Sequence, residues 1–321
     1  MKPQKLFINI ILPISITLGI LYFFFRDISP ADIKQAALNI PLSFLSAYLL
    51  MSICGTLLRT VKYRILVADK ISFSSMFLIT LVRNFSVDLL PARTASLVFY
   101  SYLAKKEGIS IEEGASSFVI SMFYDSLALS VMLGSLVFFL ADGIERSFIY
   151  LGMGIIFALS VVVIFLADYI LGFFLRIPIL GRFPRLQAFF ENILAYLRNH
   201  KNKKERAIVF LLSLVIRLIK YISVFILFAG IINIPFSLKY FAMFCFGLAG
   251  TELSSLLPLQ GAGGFGTWEL AFALVFKGLK FPLENVKLTG LVIHIITQVW
   301  EYFTGLLAFL YMMLRNRKNQ K

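Results

Sequence analysis

The sequence predicts an all-α polytopic membrane protein with about six full transmembrane helices and two broken, re-entrant hairpins in an inverted repeat. The first observation is composition: 59% of the 321 residues are hydrophobic, and the mean hydropathy is +0.86. Only 15% are charged, whereas a soluble domain carries about a quarter. The other observations are long apolar runs and two apolar segments interrupted by proline or glycine. We therefore predict one integral membrane domain over residues 1–321.

Six apolar runs are long enough to cross a bilayer, which takes roughly 20 residues. They lie at about 6–25, 41–58, 114–140, 147–175, 207–232 and 286–314. None shows the polar stripe of a soluble amphipathic helix, so contact with lipid is the simplest account. The first run follows Lys2 and Lys5, but no small-residue cleavage site comes after it. We interpret it as a retained helix rather than a signal peptide.

Two further apolar segments are interrupted. Segment 74–104 is broken at residues 90–93, which include Pro91, and segment 238–276 is broken at residues 258–266, which are rich in glycine. Proline ends a helix at the residue before it, and glycine lets the chain turn back. Each segment is thus predicted to form two short helices joined at membrane depth. Such irregular backbone persists there only when protein or cavity water shields it.

Lysine and arginine are unevenly distributed between the connecting segments. If both hairpins return to the side they enter from, the basic segments 59–73, 105–113 and 176–206 share one side with the two termini. Because cytoplasmic loops collect Lys and Arg, both termini are predicted to be cytoplasmic, in the plasma membrane. The basic stretch at about 176–206 is predicted to be a cytoplasmic linker, either on the membrane surface or as a plain linker helix.

In this topology, a span followed by a broken hairpin and a second span occurs twice along the chain. Repeat one covers about 41–140 and repeat two about 207–314, with opposite orientations. Paired interrupted segments at corresponding positions are typical of inverted-repeat transporters, whose substrate sites lie near the bilayer midplane.

Ionisable side chains at membrane depth are costly and are therefore candidates for function. The candidates on the two hairpins and the spans beside them are Arg83, Asn84, Asp88, Arg93, Asp125, Glu252, Glu269, His294 and Glu301. A shielded guanidinium suits a phosphate because it can bind two oxygens at once. Arg83 and Arg93 are thus predicted to bind phosphate, or else to form internal ion pairs. The alternative pairs are Arg83 with Asp88 or Asp125, and Arg93 with Glu252 or Glu269.

The remaining candidates have more than one interpretation. Gly263, Gly264 and Gly266 serve close packing at the hairpin tip, with amides that can face a substrate. Glu269 is either a cation or proton site or a partner for an arginine, and His294 is either a proton relay or a packing residue. Asp88, Glu252, His294 and Glu301 are also candidate ion or partner groups. Arg217 and Lys220, near the basic end of their span, are predicted to reach toward the cytoplasmic interface.

Several functional classes are disfavoured. The net charge of +14 follows the loops rather than a folded basic face, so it indicates topology and not nucleic-acid binding. Cys54 and Cys245 lie in apolar runs without disulfide or metal-ligand spacing. The glycine-rich turn lacks the preceding strand or the GK[ST] ending of a nucleotide loop. No cofactor, metal or catalytic constellation is therefore expected, and the chain is predicted not to be an enzyme.

The motifs together resemble the transmembrane-domain family of lysylphosphatidylglycerol synthase, also called flippase-like domain proteins. The resemblance spans nearly the whole chain and rests on the order of two hairpin motifs and one aspartate. The matching residues are Arg59, Tyr63, Arg64, Arg83, Asn84, Pro91, Arg93, Asp125, Pro258, Gly263, Gly264, Gly266 and Glu269. The sequence has Ala95-Ser96 where the family often has Gly-Glu, and Phe123-Tyr124 where it often has Glu-Arg. The soluble aminoacyl-transferase domain of fused relatives is absent, so lipid aminoacylation is not expected.

What the resemblance implies is lipid handling. The leading hypothesis is translocation of a phospholipid or a polyprenyl-phosphate-linked glycan through a polar cavity between the two hairpins. The expected partners are that lipid and, in addition, a separate lipid-modifying enzyme. One alternative is a non-catalytic or transferase-accessory subunit in lipid-linked glycan or cell-envelope synthesis. The other is an ion-coupled small-solute transporter.

Overall fold

The structure is a computed structural model that describes residues 12–87, 89, 94–136, 203–254, 261–279 and 283–318, with isolated positions between 154 and 195. Its described residues form helices and their connections, with no β-strand among them. The helices, numbered in chain order, are α1 Leu12–Phe25, α2 Pro30–Leu38, α3 Leu42–Leu66, α4 Phe73–Phe85, α5 Thr94–Lys106, α6 Ile111–Leu136, α7 Lys203–Ile232, α8 Leu238–Leu253, α9 Thr267–Gly278 and α10 Leu283–Lys318, and a short 3₁₀ turn covers Ala262–Gly264.

Four helices of the described chain are long and apolar enough to span a membrane: α3, α6, α7 and α10. Helices α1 and α2 form one further span if they are taken together, although the chain bends by 83° between them. Ser29 caps α2 by accepting from the Asp32 amide, while the Asp32 carboxylate accepts from the Ser29 amide, which fixes where α2 starts.

The helices and their candidate spans confirm the class of all-α membrane protein. The predicted span at 147–175 falls outside the described residues, as does most of the 176–206 linker.

Both interrupted segments form two short helices that contact each other. The first gives α4 and α5, and the second gives α8 and α9. Each pair follows one long helix and precedes another, so the order long, short, short, long occurs twice, in α3–α6 and in α7–α10. Residues 90–93 and 255–260, which include the two predicted proline breaks, lie outside the described part.

One predicted boundary is wrong. The sequence predicts that the first repeat leaves its span at residue 58 and enters a loop over 59–73, but α3 continues to Leu66. The added turns carry Arg59, Lys62 and Arg64 in the helix, because charged residues do not stop a helix that neighbouring helices can pair and shield. Helix α7 likewise begins at Lys203, within the predicted linker.

Two apolar clusters hold the two halves. In the first half, Tyr63, Met76, Ile79, Tyr100 and Phe118 are buried between α3, α4, α5 and α6. The second half is built on phenylalanines of α7, α8 and α9 whose rings contact one another, namely Phe225, Phe228, Phe244, Phe272 and Phe276. Helix α3 packs along α7, and α10 packs along α4, so each half contacts the other through its long helices. A polar cavity lies where the halves meet.

Candidate functional site: a charged cavity between the two halves

The cavity has a volume of about 160 Å³ and is lined by side chains from α3, α4, α6, α7, α8, α9 and α10. Its lining contains both apolar and ionisable groups. The ionisable and histidine side chains are Arg59, Arg83, Asp125, Arg217, Lys220, Glu252, His294 and Glu301. Since every one of these groups comes from a helix in an apolar bundle, the cavity concentrates at one place most of the costly polar groups of the described chain.

Two arginines converge on one asparagine at the wall of the cavity. Nη1 of Arg59 and Nη1 of Arg83 donate to the same Oδ1 of Asn84, at 3.0 Å and 3.1 Å. Asn84 Nδ2 donates in turn to Thr56 Oγ1 at 3.3 Å, which fixes the amide orientation. Arg83 is only 6% exposed, and its guanidinium also lies over the Phe118 ring. Two like charges are thus held together by a neutral acceptor.

Neither arginine has a carboxylate ion pair within the described part of the chain. The Nε atoms of Arg59 and Arg83 are both buried, and neither has a hydrogen-bond acceptor there. A buried donor without an acceptor costs roughly 1–3 kcal/mol, and more when it is charged. Both residues line the cavity, so two cations without a carboxylate partner in the described chain lie at its wall, where an anion would offset their charge.

Asp125 forms an ion pair with Lys62, a residue that the sequence predicted to lie in a loop. Nζ of Lys62 donates to Asp125 Oδ1 at 2.6 Å and to Ser213 Oγ at 3.1 Å. The Lys62 side chain is fully buried, and that of Asp125 is 16% exposed. The alternative pairing of Arg83 with Asp125 is accordingly wrong, because Lys62 projects from the neighbouring turns of α3 and reaches the carboxylate first.

Glu252 forms ion pairs with cations of the second half, as Asp125 does in the first. Nη1 of Arg217 donates to its Oε2 at 2.9 Å, and Nζ of Lys220 donates to its Oε1 at 2.6 Å. The Tyr221 hydroxyl adds a weaker bond at 3.3 Å. Arg217 also donates to the Asp125 backbone carbonyl at 3.4 Å, which links α7 to α6. The prediction that Arg217 and Lys220 only reach toward the interface is therefore wrong for Arg217, whose side chain is 12% exposed, and incomplete for Lys220.

Among the described residues, Glu269 pairs with a histidine. Its Oε1 lies 2.6 Å from His294 Nδ1, and its Oε2 accepts the Gly266 amide at 2.7 Å. Glu269 is at the third position of α9, where its carboxylate caps the helix start. Gln298 Nε2 lies 3.0 Å from His294 Nε2 on the other side of the ring. Within the described chain, the arginine partner expected for Glu269 is replaced by this Glu269–His294–Gln298 chain.

The glycine-rich turn packs against the first helix. Gly263 and Gly266 have φ angles of 63° and 87°, which side-chain-bearing residues rarely adopt. Thr17 of α1 accepts from the Ala262 amide at 2.8 Å and donates to the Phe265 carbonyl at 3.0 Å. A Cβ on Gly266 would lie 3.2 Å from Ile20. The turn thus serves close packing, as one interpretation expected, and its glycines are not among the residues that line the cavity.

The predicted candidates divide into three groups. Arg83, Asn84, Asp125, Glu252, His294 and Glu301 all line the one cavity. Glu269 lies behind His294, and Gly263, Gly264 and Gly266 lie in the turn beneath it. Asp88 and Arg93 are outside the described residues, and so are the ion pairs predicted for them.

Four residues of the site were not among the predicted site residues: Arg59, Lys62, Arg217 and Lys220. They form two pairs with the same spacing, three residues apart, on the first long helix of each half. Residues three apart lie on one face of a helix. A signal for these residues was present in the sequence. Each of two apolar helices carries two cations on one face, and each half of the chain contains one acid that can pair with them.

The chain matches a known protein family. A family model described as the lysylphosphatidylglycerol synthase TM region matches residues 10–305. No curated protein matches the sequence. The matched range takes in α3 to α9, most of α10 and every residue of the cavity described above. The chain therefore belongs to the lysylphosphatidylglycerol synthase transmembrane-region family, as its hairpin motifs indicated.

Proposed function

We propose that the protein translocates a lipid with a phosphate-bearing headgroup across the membrane. The headgroup passes through the charged cavity while the tails remain in the bilayer. The lipid is a phospholipid or a polyprenyl-phosphate-linked glycan, which share the phosphate chemistry that the cavity recognises.

The observation that carries the proposal is the Arg59–Arg83 pair. Two guanidiniums share one neutral acceptor, and their buried Nε atoms have no acceptor among the described side chains. A guanidinium offers a planar fork of donors that matches phosphate oxygens, and charged hydrogen bonds are about twice as strong as neutral ones. Phosphate is a ligand that would satisfy both forks at once.

The charge balance of the cavity supports an anionic headgroup. Four of the lining side chains are cationic: Arg59, Arg83, Arg217 and Lys220. The three carboxylates in the lining are Asp125, Glu252 and Glu301. Since Asp125 is also paired with the buried Lys62 behind the wall, the described lining has an excess of positive charge. In a low-dielectric site, such an excess attracts an anion strongly.

The outer surface of the bundle is suited to contact with lipid tails. Large apolar side chains on α10 face outward, including Val299, Phe303 and Leu306, at 48–62% exposure. The same helix carries His294, Gln298 and Glu301 into the cavity. One face of α10 is thus suited to acyl chains and another to a headgroup. In our proposal the two hairpins enter from opposite sides of the plasma membrane, with both termini cytoplasmic, and the protein transports without catalysis.

Reconstitution tests the proposal. Purified protein is placed in vesicles with fluorescent phosphatidylglycerol, fluorescent phosphatidylcholine or a fluorescent polyprenyl phosphate, and movement between leaflets is followed by quenching the outer leaflet. The wild type is expected to move at least one of the two anionic lipids. Arg83→Gln is expected to slow that movement about tenfold or more, because a charged hydrogen bond contributes roughly 1.5–3 kcal/mol. Lys105→Gln, which removes an exposed cation of α5, serves as the matched control and is expected to keep the wild-type rate.

The outcomes separate the rival functions. Movement of phosphatidylglycerol but not polyprenyl phosphate identifies a phospholipid substrate, and the reverse identifies a lipid-linked glycan carrier. No movement of any lipid, together with a lipid-linked product that forms only when a partner enzyme is added, indicates the accessory-subunit alternative. Uptake of a soluble anion without lipid movement indicates the small-solute alternative.

A further inference from the structure

In the chain formed by Glu269, His294 and Gln298, the last two residues line the same cavity as the Arg59–Arg83 pair. Glu269 and His294 are 1% and 2% exposed, so a carboxylate and an imidazole are buried together inside an apolar bundle. Their 2.6 Å contact is short for a nitrogen–oxygen hydrogen bond, as is expected when one partner is ionised. Phe265 and Trp268 cover the two faces of the imidazole, with ring centroids 4.5 Å and 4.7 Å away. The ring is therefore held in one plane.

The contacts fit one resting arrangement of protons. The Gln298 amide nitrogen, 3.0 Å from His294 Nε2, is a donor, so Nε2 is the acceptor. The single imidazole proton is then on Nδ1, which donates to Glu269 Oε1. In this state the histidine is neutral, and the pair carries the single negative charge of Glu269.

The same residues can accommodate a second proton. When Nε2 gains a proton it becomes a donor, and rotation of the Gln298 amide by half a turn presents its oxygen as the acceptor. His294 and Gln298 line the cavity, so cavity water can deliver the proton to Nε2. Glu269 lies behind the ring and stabilises the imidazolium. The pair then has no net charge, which lowers the cost of burying it.

The charged groups that share this cavity determine what accompanies the proton. Helix α7 presents Arg217 and Lys220, α8 presents Glu252, and α10 itself presents Glu301. The guanidiniums of Arg59 and Arg83 and the Asp125 carboxylate line the same space. An anion bound by the arginines favours a positive histidine, and by linkage a protonated histidine favours the anion to the same extent.

We propose that the Glu269–His294 pair is a proton-binding site that couples lipid movement to a proton gradient, with the proton and the anionic headgroup crossing in the same direction. This inference rests on the proposed function and adds its driving ion. His294 Nε2 takes a proton from the cavity while it is open to one side and releases it when the cavity is open to the other. Glu269 and Gln298 hold the ring in position for both steps.

The test uses the reconstituted full chain with fluorescent phosphatidylglycerol in the outer leaflet. Acidifying the outside relative to the lumen is expected to accelerate inward movement about fivefold or more, the lower end of usual coupling factors, and acidifying the lumen is expected to slow it. His294→Gln and Glu269→Gln are expected to move lipid at a rate that no longer depends on the gradient. Glu113→Gln removes a carboxylate that pairs with the exposed Lys70 and is expected to respond as the wild type does.

A second measurement does not depend on transport. Phosphatidylglycerol is added to the detergent-solubilised protein in weakly buffered solution with a pH indicator. The wild type and Glu113→Gln are expected to take up protons as lipid binds, and His294→Gln is expected to take up none. Proton uptake by folded His294→Gln equal to that of the wild type would overturn the inference.

The two levels of the proposal fail differently. Wild-type lipid movement that ignores a gradient of either sign removes the proton site and leaves translocation intact. An absence of lipid movement by the wild type removes the proposed function, and the coupling with it.

Discussion

Nζ of Lys62 lies 2.6 Å from Oδ1 of Asp125, and the lysine side chain is completely shielded from solvent. The pair joins α3 to α6, and the additional bond from Lys62 to Ser213 brings in α7. Three long helices of the bundle are thus connected at one ammonium group. Such an arrangement stabilises the fold only while both charges are present, because each one alone would be buried without compensation.

We expect Lys62→Met to lower the free energy of unfolding by about 3–5 kcal/mol, since the change leaves Asp125 without its partner. The double variant Lys62→Met with Asp125→Leu is expected to recover most of that loss. Thermal unfolding in detergent measures both. The matched control is Lys70→Met, which breaks the exposed Lys70–Glu113 pair and is expected to cost about 0–1 kcal/mol. Equal losses at Lys62 and Lys70 would contradict the role of burial.

Glu252 is predicted to restrain the cations of the second half. Replacing it with Gln removes the carboxylate that Arg217 and Lys220 share, so both become available to an anion. We expect Glu252→Gln to bind phosphatidylglycerol several-fold more tightly and with a steeper loss of affinity on adding salt, because screening weakens interactions of charges that water can reach. Titration with lipid at low and high salt checks this. An unchanged affinity at low salt would show that the two cations do not face the headgroup.

Gly305 allows α10 to lie directly against α4. A Cβ at this position would lie 2.8 Å from the Leu81 backbone oxygen and closer still to Phe85 Cβ, so the helices would have to separate. We expect Gly305→Ala to destabilise the protein by about 1–3 kcal/mol, the usual range for overpacking. Gly19 in α1 provides the control, because a Cβ added there would have nothing within 4 Å. Gly19→Ala is expected to stabilise slightly, by roughly 0.5–1 kcal/mol. Thermal melts of the two variants should shift in opposite directions.

Thr17 fixes the first helix to the glycine-rich turn. Thr17→Val keeps the side-chain shape but loses the bonds to the Ala262 amide and the Phe265 carbonyl. We expect a loss of about 1–3 kcal/mol, because two backbone groups are left without their partner. Amide exchange over residues 261–266 should accelerate. Thr304→Val, which loses only bonds to carbonyls of its own helix, is the control and should leave exchange at the turn unchanged.

Much of the fold was accessible from the sequence because its signals are local. The apolar runs at 114–140 and 207–232 correspond closely to α6 and α7, since length and composition alone decide whether a segment can span lipid. The interruption predicted at 258–266 was equally local, because glycine allows the positive φ angles of the turn at 263–266. The end of α3 could not be predicted from local signals. The sequence placed it near residue 58, just before the first charged residue, Arg59, whereas the helix continues to Leu66.

Part of the membership of the candidate site could be predicted from the sequence, but its ion pairs could not. Charged residues in apolar segments identified Arg83, Asp125, Glu252 and His294, all of which line the cavity. No pattern along the chain indicated that Lys62 would reach Asp125.

By itself, the sequence determined that the chain is an all-α membrane protein, where most of its described spans run, that two of its apolar segments are interrupted, and which family it belongs to. Those properties follow from hydrophobic length, backbone restrictions and motif spacing, which neighbouring residues settle among themselves. Only the tertiary structure decided that Lys62 meets Asp125, that Glu252 holds two cations, and that Arg59 and Arg83 remain without a carboxylate partner in the described chain. The partners in these ion pairs lie 32 to 63 residues apart. Which of them meet depends on how the helices rotate and align against each other, because a change of one residue in rotation turns a charge from a partner toward lipid.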